Sequence, residues 1–199
     1  MTGAKTVVIG RLKEYHPAMD QRDKALSNEN IWAPWRTEYI TSITERQEGT
    51  CFVCAARDAE DDAGNLVVWR GQHALALLNR YPYTGGHMMI CPNAHVAELA
   101  DVDDATMAET MQMARDMVAA LKLAVHAHGF NIGCNIGAAA GAGLPGHLHW
   151  HVVPRWVGDT NYLEALAQTR IVPISLEQVR EAVLAATAEL ALPWRTSEG

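Results

Sequence analysis

The chain reads as a mixed α+β domain built on an antiparallel sheet of about five strands, with one long helix packed on the sheet and a second helix near the C-terminus. Three observations lead there. Short aliphatic segments separated by turn residues occupy the region from residue 66 to residue 92. A long stretch of helical periodicity follows Asp104, and two more aliphatic segments lie beyond it. Connections this short between strands imply antiparallel neighbours, because a parallel pair needs a crossover of a dozen residues or more.

The predicted strands are Leu66–Trp69, Ala74–Asn79 and His87–Pro92, divided by Arg70-Gly71-Gln72 and by Tyr81-Pro82-Tyr83-Thr84-Gly85-Gly86. After Asp101-Val-Asp-Asp104 the period changes: Met107, Met111, Ala114, Val118, Leu121 and Val125 recur every three or four residues, acidic residues crowd the start, and Gly129 closes the pattern. This predicts one helix over 104–128. Its methionine stripe is read as a packing face, since a helix laid on a sheet needs one and methionine fills irregular gaps. His126 and His128 near its end are expected to cap carbonyls or face solvent. Phe130–Ile136 and His147–Pro154 complete the strands, joined by the glycine- and alanine-rich loop 137–146. Ser175-Leu-Glu-Gln178 is a capping box that announces the last helix, running to about Leu190.

The 199 residues divide on this reading into an N-terminal arm (1–47), a central domain (48–158) and a C-terminal extension with a helix (159–199). The arm is polar until the aromatic group Trp32, Pro34, Trp35, Tyr39 and Ile40, where Trp32 and Trp35 read as anchors for a docking contact. Hydrophobic residues make up 49% of the chain and charged residues 20%, enough for a folded core. The formal charge of -7 offers no field for a polyanionic backbone, which argues against polymeric nucleic acid as a partner. No apolar run approaches the roughly 18 residues of a membrane span, and the N-terminal apolar run is too short for a signal-peptide core, so a cytoplasmic protein with no membrane partner is expected. Four cysteines are too few for a disulfide framework.

Chemistry concentrates in His147-Leu-His149-Trp-His151-Val-Val-Pro154. A strand's period of two sends all three imidazoles to one face and Leu148, Trp150 and Val152 to the other. Imidazole near neutral pH is a nucleophile, a hydrogen-bond donor and a proton carrier, and it is also the commonest metal ligand. Phosphoryl or nucleotidyl transfer fits the row, with Gly137, Gly141, Gly143 and Gly146 letting backbone N–H groups approach a phosphate. A metal hydrolase using the three histidines as ligands is the rival reading. Cys51-Phe-Val-Cys54 is open among buried thiols, a redox pair and half a zinc site, although a redox role lacks its βαβ context. Cys91 and Cys134 read as buried small hydrophobes.

The residues 147–153 fill the pattern His-φ-His-φ-His-φ-φ, with φ apolar, without exception, and on that motif the chain resembles the histidine triad (HIT) superfamily. The resemblance runs from about Cys51 to Trp156. It includes Leu78-Asn79-Arg80-Tyr81-Pro82 with Gly86-His87, and Asn131-Ile-Gly-Cys-Asn135-Ile-Gly137. The arm Trp32-Ala-Pro-Trp35-Arg36-Thr-Glu-Tyr39-Ile40 is similar to that of the bacterial diadenosine tetraphosphate phosphorylase and hydrolase branch.

The resemblance implies a HIT-like sheet, a homodimer or higher homo-oligomer, and cleavage of dinucleoside polyphosphates through a nucleotidyl-histidine intermediate. His149 would be the nucleophile, His151 would hydrogen-bond phosphate or the leaving oxygen, and His147 would fix the site. Asn79 would bind ribose hydroxyls; Asn135, with the amides of Gly137, Gly141 and Gly143, would contact phosphates. Trp156, just past the triad, is placed among the substrate-binding residues. Zinc-bearing relatives, and the related galactose-1-phosphate uridylyltransferases, suggest Cys51, Cys54, His95 and His147 as ligands of a structural zinc, with no organic cofactor. Inorganic phosphate as acceptor makes the enzyme a phosphorylase; water makes it a hydrolase of dinucleoside polyphosphates or of nucleoside phosphoramidates. A nucleotide-binding regulatory protein without turnover is the non-enzymatic reading. One departure bears on the acceptor: many relatives carry Gly-Gln-Ser or Gly-Gln-Thr before the triad, whereas Gly141-Ala-Gly143-Leu-Pro-Gly146 has no hydroxyl or amide side chain.

Overall fold

A computed structural model describes residues 51–159 and 174–193. The predicted arm with Trp32 and Trp35 lies outside the described residues, as do 160–173 of the predicted C-terminal extension. The elements in chain order are α1 (Phe52–Asp58), β1 (Val67–Arg70), β2 (Ala74–Leu78), β3 (Met88–Pro92), α2 (Asp104–Val125), β4 (Gly129–Cys134), β5 (Trp150–Arg155) and α3 (Leu176–Glu189). The five strands form one sheet in the order β1-β2-β3-β5-β4, and every neighbouring pair is antiparallel.

The sheet is covered on both faces in its middle, which is why β2 and β3 are apolar at every position and buried throughout. Alternation sorts their side chains. Ala74, Ala76, Leu78, Met88 and Ile90 join the core beneath α2 and α3, together with Met113, Met117 and Leu121 of α2 and Val179 and Val183 of α3. Leu75, Leu77, Met89 and Cys91 point the other way, into a smaller cluster with Val53 and Ala56 of α1. In β1 the register shifts between Val67 and Trp69, so Val67 packs toward α1 while Val68 and Trp69 join the helix side.

The long helix is present with its face rotated from the predicted stripe. Its buried residues are Thr106, Thr110, Met113, Ala114, Asp116, Met117, Ala120 and Leu121. Met111, assigned to the packing stripe, is 39% exposed. The reason is that α2 packs against α3 as well as against the sheet, and the arc facing both runs through Met113 and Met117. Asp103 caps its N-terminus by accepting from the N–H of Thr106. The helix stops at Val125, three residues short of the predicted end, because His126 takes the left-handed conformation that ends a helix (φ 52°). Gly129, read as the terminator, instead opens β4. His126 and His128 are exposed, as expected, and the Nδ1 of His128 accepts the N–H of Val157. In α3 the capping box is reciprocal, Ser175 accepting from the Gln178 N–H and Gln178 from the Ser175 N–H.

The predicted strand over 147–154 is shortened at its front. Pairing begins at Trp150, and ahead of it the N–H of Leu148 donates to Val96 O rather than to a neighbouring strand. Alternation persists all the same. Leu148, Trp150 and Val152 lie in the helix-side core, leaving the histidines to the face that carries α1.

Candidate active site and metal cluster

His87, His147, His149 and His151 lie on the α1 face of the sheet, with Tyr83 against His87 and His95 against His147. His151 pairs across β3 with Met89 and across β4 with Gly133. Its ring centroid lies 4.9 Å from that of His149 and 5.0 Å from that of His87. Tyr83 stacks on His87 at 4.5 Å. His87, His147 and His149 are all buried.

Hydrogen bonding fixes which nitrogen of each ring carries a proton. The N–H of Tyr83 donates to His87 Nδ1 (3.1 Å), so that nitrogen is bare. Burial, reinforced by the neighbouring imidazoles His151 and His149, pushes the His87 pKa down to about 3, so the ring is neutral and its proton sits on Nε2. That Nε2–H donates to His151 Nδ1 at 2.9 Å. His151 is also held neutral, its pKa lowered to about 4 by burial and then by His149. Its own proton is therefore on Nε2, facing away from His87.

His149 is set the opposite way. Its Nδ1 lies 2.8 Å from the carbonyl oxygen of His147, which only accepts, so Nδ1 is the donor. Burial lowers its pKa as well, opposed by that same bond. A neutral ring protonated at Nδ1 presents a lone pair at Nε2. The pair thus offers a nucleophilic nitrogen on His149 beside an N–H donor on His151, the complement of an electrophilic phosphorus with an oxygen leaving group.

His147 points elsewhere. Its Nε2 donates to Pro92 O at 2.8 Å, and its Nδ1 lies 3.2 Å from Cys51 Sγ, 3.6 Å from Cys54 Sγ and 3.3 Å from His95 Nδ1. Cys54 Sγ to His95 Nδ1 is 3.3 Å, and the four ligand atoms all lie within 4.8 Å of one another. Metal bonds of about 2.0–2.3 Å in a tetrahedron give ligand-to-ligand edges of about 3.3–3.8 Å, so the four atoms already stand at close to the separations such an ion needs. Cys51 is the N-cap of α1 and accepts from the Cys54 N–H. Burial pushes its thiol up, but the adjacent His147 ring and the Cys54 N–H together outweigh burial and bring it down to about 6, a thiolate ready to ligate. All four predicted ligands meet in one cluster that can hold a metal ion.

The other predicted residues are placed as follows. Asn135 follows Cys134, which pairs with Trp150 at the end of the ladder. Phe130, Cys134 and Ile136 pack on the helix-side core, which turns Asn131, Gly133 and Asn135 to the histidine face. Asn79 accepts the N–H of Tyr81 through its side-chain oxygen. Gly137 and Gly141 hold φ of 76° and 85° around a short 3-10 turn, Ala138–Ala140, which explains glycine there by backbone conformation. Gly143 lies in the irregular segment leading to the triad. Trp156 donates its indole N–H to Val125 O at the end of α2, a bond that ties β5 to the helix.

Sequence reasoning gave no separate role to His87 or Tyr83. Their signal was available: His87 opens the strand that pairs with the triad strand, and a histidine at such a position lands against the triad.

A model of the HIT domain matches residues 61–157. A protein of Mycobacterium tuberculosis named AP-4-A phosphorylase is 35% identical over 179 residues, spanning 85% of this chain and 90% of the relative. An adenosine 5'-monophosphoramidase of Saccharomyces cerevisiae is 27% identical over 125 residues, 63% of this chain and 75% of that protein. Among solved structures, a Zn-bound histidine triad family protein from Mycobacterium smegmatis superposes with a TM-score of 0.58 at 29% identity, covering 71% of this chain and 96% of that one. The motif at 147–153, the five-stranded sheet that carries it and the relatedness along most of the sequence agree: the chain belongs to the HIT domain family.

Proposed function

We propose that the protein is a nucleotidyltransferase that cleaves dinucleoside polyphosphates, diadenosine tetraphosphate above all, with inorganic phosphate as acceptor. The observation that carries this reading is the opposed protonation of two adjacent rings, a bare Nε2 on His149 and an N–H on Nε2 of His151. His149 Nε2 attacks the α-phosphorus, a P–N bond forms, and the P–O bond to the remaining polyphosphate breaks, releasing ATP. The positive charge left on the nucleotidyl-imidazole is met by the His147 carbonyl at Nδ1–H. Phosphate then attacks the same phosphorus, the P–N bond breaks, and ADP leaves with His149 restored. Splitting one displacement into two in-line steps is the gain from the covalent intermediate.

His151 hydrogen-bonds the bridging oxygen as charge grows there. A polyphosphate departs as a stable anion, so that bond suffices. An amine departing from a phosphoramidate needs a full proton, and burial leaves the cationic form of His151 that would deliver one scarce, so the polyphosphate reading asks less of this ring. Asn79 is assigned to the ribose hydroxyls, and Asn135 with the amides of Gly137, Gly141 and Gly143 to the phosphates. Trp156, its indole N–H bonded to Val125 O at the end of α2, is given no substrate contact in this scheme.

The metal assigned to Cys51, Cys54, His95 and His147 is zinc, supported by the two-sulfur, two-nitrogen donor set and by the Zn-bound structural relative. Four protein ligands close its coordination, so its part is structural: it fixes the His147 ring, whose own carbonyl orients His149. The functional unit is taken as a homodimer; β4 is an edge strand with Ile132 half exposed, a surface suited to a second copy. The arm 1–47 and extension 159–199 flank the HIT domain at 48–158. No described helix is long and apolar enough to cross a membrane, and a cytoplasmic site of action fits a nucleotide substrate.

Intact mass after brief exposure to diadenosine tetraphosphate at several phosphate concentrations tests the proposal. One adenylyl group on the wild-type chain, discharged by phosphate as ADP, is expected. An adduct that persists in His149→Ala, or AMP as the product whatever the phosphate concentration, overturns it.

A further inference from the structure

We infer that Cys51 and Cys54 are a site of oxidation, closing to a disulfide in the presence of peroxide and thereby expelling the metal of the Cys–His cluster. This rests on the metal assignment above and adds a modification site to it. The two sulfurs stand together without a bond: both thiols are free and half-buried, and they lie within 4.8 Å of one another and of the two imidazole nitrogens. Each reaches the same atom, His147 Nδ1, at 3.2 Å from Cys51 and 3.6 Å from Cys54, and the Cys54 N–H donates to Cys51 Sγ at 3.5 Å. Cys-X-X-Cys across the start of a helix is the spacing of dithiol–disulfide pairs. The chain's other two cysteines do not compete. Cys91 is fully buried, which pushes its thiol up and keeps oxidant away, and Cys134 packs on the opposite face of the sheet.

Hydrogen peroxide suffices as the oxidant. One thiolate attacks a peroxide oxygen, the O–O bond breaks and hydroxide leaves, which makes that cysteine a sulfenic acid. The second thiolate attacks its sulfur, the S–S bond forms, the S–O bond breaks, and a second hydroxide leaves. Two electrons pass from the sulfur pair to the peroxide, and two protons from solvent turn the hydroxides into water. A disulfide offers no thiolate, so the metal loses two of its four ligands and departs as a dication. The triad feels this only in part. His147 keeps its Nε2 bond to Pro92 O, and its carbonyl still faces His149 Nδ1, so oxidation loosens the support of the nucleophile without removing it. The all-antiparallel sheet lacks the βαβ frame of a thiol oxidoreductase, so the pair acts on its own metal rather than on another protein's disulfide.

Zinc-loaded protein treated with hydrogen peroxide beside a weak chromogenic zinc indicator tests the proposal. The expected result is release of one equivalent of zinc, loss of two alkylatable thiols mapped to Cys51 and Cys54, and a polypeptide mass lower by two hydrogens. Dithiothreitol with added zinc should reverse all three. Metal-free protein should close the same disulfide faster, since no metal guards the thiolates. Zinc released with oxygen added to the sulfurs and no disulfide overturns the proposal, and so does a disulfide that forms while the zinc stays bound. A reduced chain that takes up no zinc overturns the metal assignment and the expulsion with it. A chain that loads zinc yet takes no adenylyl group from diadenosine tetraphosphate fails the proposed function alone, and the zinc and thiol counts still decide the switch.

Discussion

His87 Nε2 lies 2.9 Å from His151 Nδ1, and the proton between them belongs to His87 because the N–H of Tyr83 already occupies its other nitrogen. A buried ring on β3's leading edge thereby sets the tautomer of the triad's last histidine. His87→Phe keeps an aromatic ring and removes both contacts. The expected outcome is a fall in kcat of about tenfold with KM little changed, less than the ~10²–10³ lost when a direct transition-state donor is removed. Nitrogen NMR of His151 should show its tautomers mixed, which a merely structural lesion would not produce. His87→Gln, whose amide offers both an acceptor and a donor, should recover part of the rate.

Acid should weaken the fold through the same two rings. The folded-state pKa values of His87 and His151, about 3 and about 4, lie below the 6.5 of an ordinary histidine. As pH falls below 6.5 the unfolded chain takes up protons first, so stability is complete above 6.5 and declines as pH drops through the folded values. Denaturant melts across that window should show a loss that His87→Phe reduces. A stability independent of pH between 6.5 and 4 would contradict the burial of neutral imidazoles.

Metal content should separate the two halves of the triad. His149→Ala removes no ligand and should keep full metal. Cys54→Ser removes one of four and should lower affinity strongly. Chelation should loosen the His95 and His147 segments, seen as faster amide exchange at 93–97 and 147–149, before adduct formation declines. Loss of metal from His149→Ala would return the metal-hydrolase reading of the triad.

Much of the fold was legible because its signals are local. Alternation in the triad strand predicted which side chains face the helices, and the capping box marked the start of α3. The face of α2 was misplaced because a moment read from sequence assumes one partner, whereas α2 packs on both the sheet and α3. The three histidines of the triad were visible as a motif, and the four side chains of the Cys–His cluster through family resemblance. The divergent tasks of His147 and His149 came only through that resemblance, since they depend on the Val96 carbonyl drawing Leu148 out of the ladder and on thiols nearly a hundred residues away. His87 was hidden for the same reason: its meaning arises only from strand pairing.

Arg70 should govern the metal cluster from outside it. Its guanidinium donates to the carbonyls of Ala56, Arg57 and Ala59 at the C-terminal end of α1 and pairs with Asp62 at 2.6 Å. At seven residues α1 is too short to persist alone, and its N-cap is the ligand Cys51, so the far end of the helix must be pinned for the near end to hold its place. Arg70→Met removes the donor while the Asp62 carboxylate stays fully buried. A loss of about 3 kcal/mol in stability is expected for breaking such a buried pair, together with metal affinity lowered about tenfold or more, as for other supports of a ligand shell. Arg70→Lys should restore little, because an ammonium cannot span three carbonyls and a carboxylate as the planar fork does. Denaturant unfolding and competition with a chromogenic chelator measure the two effects. A variant that loses stability yet holds its metal as tightly as before would show that α1 is positioned by its Val53 and Ala56 packing instead.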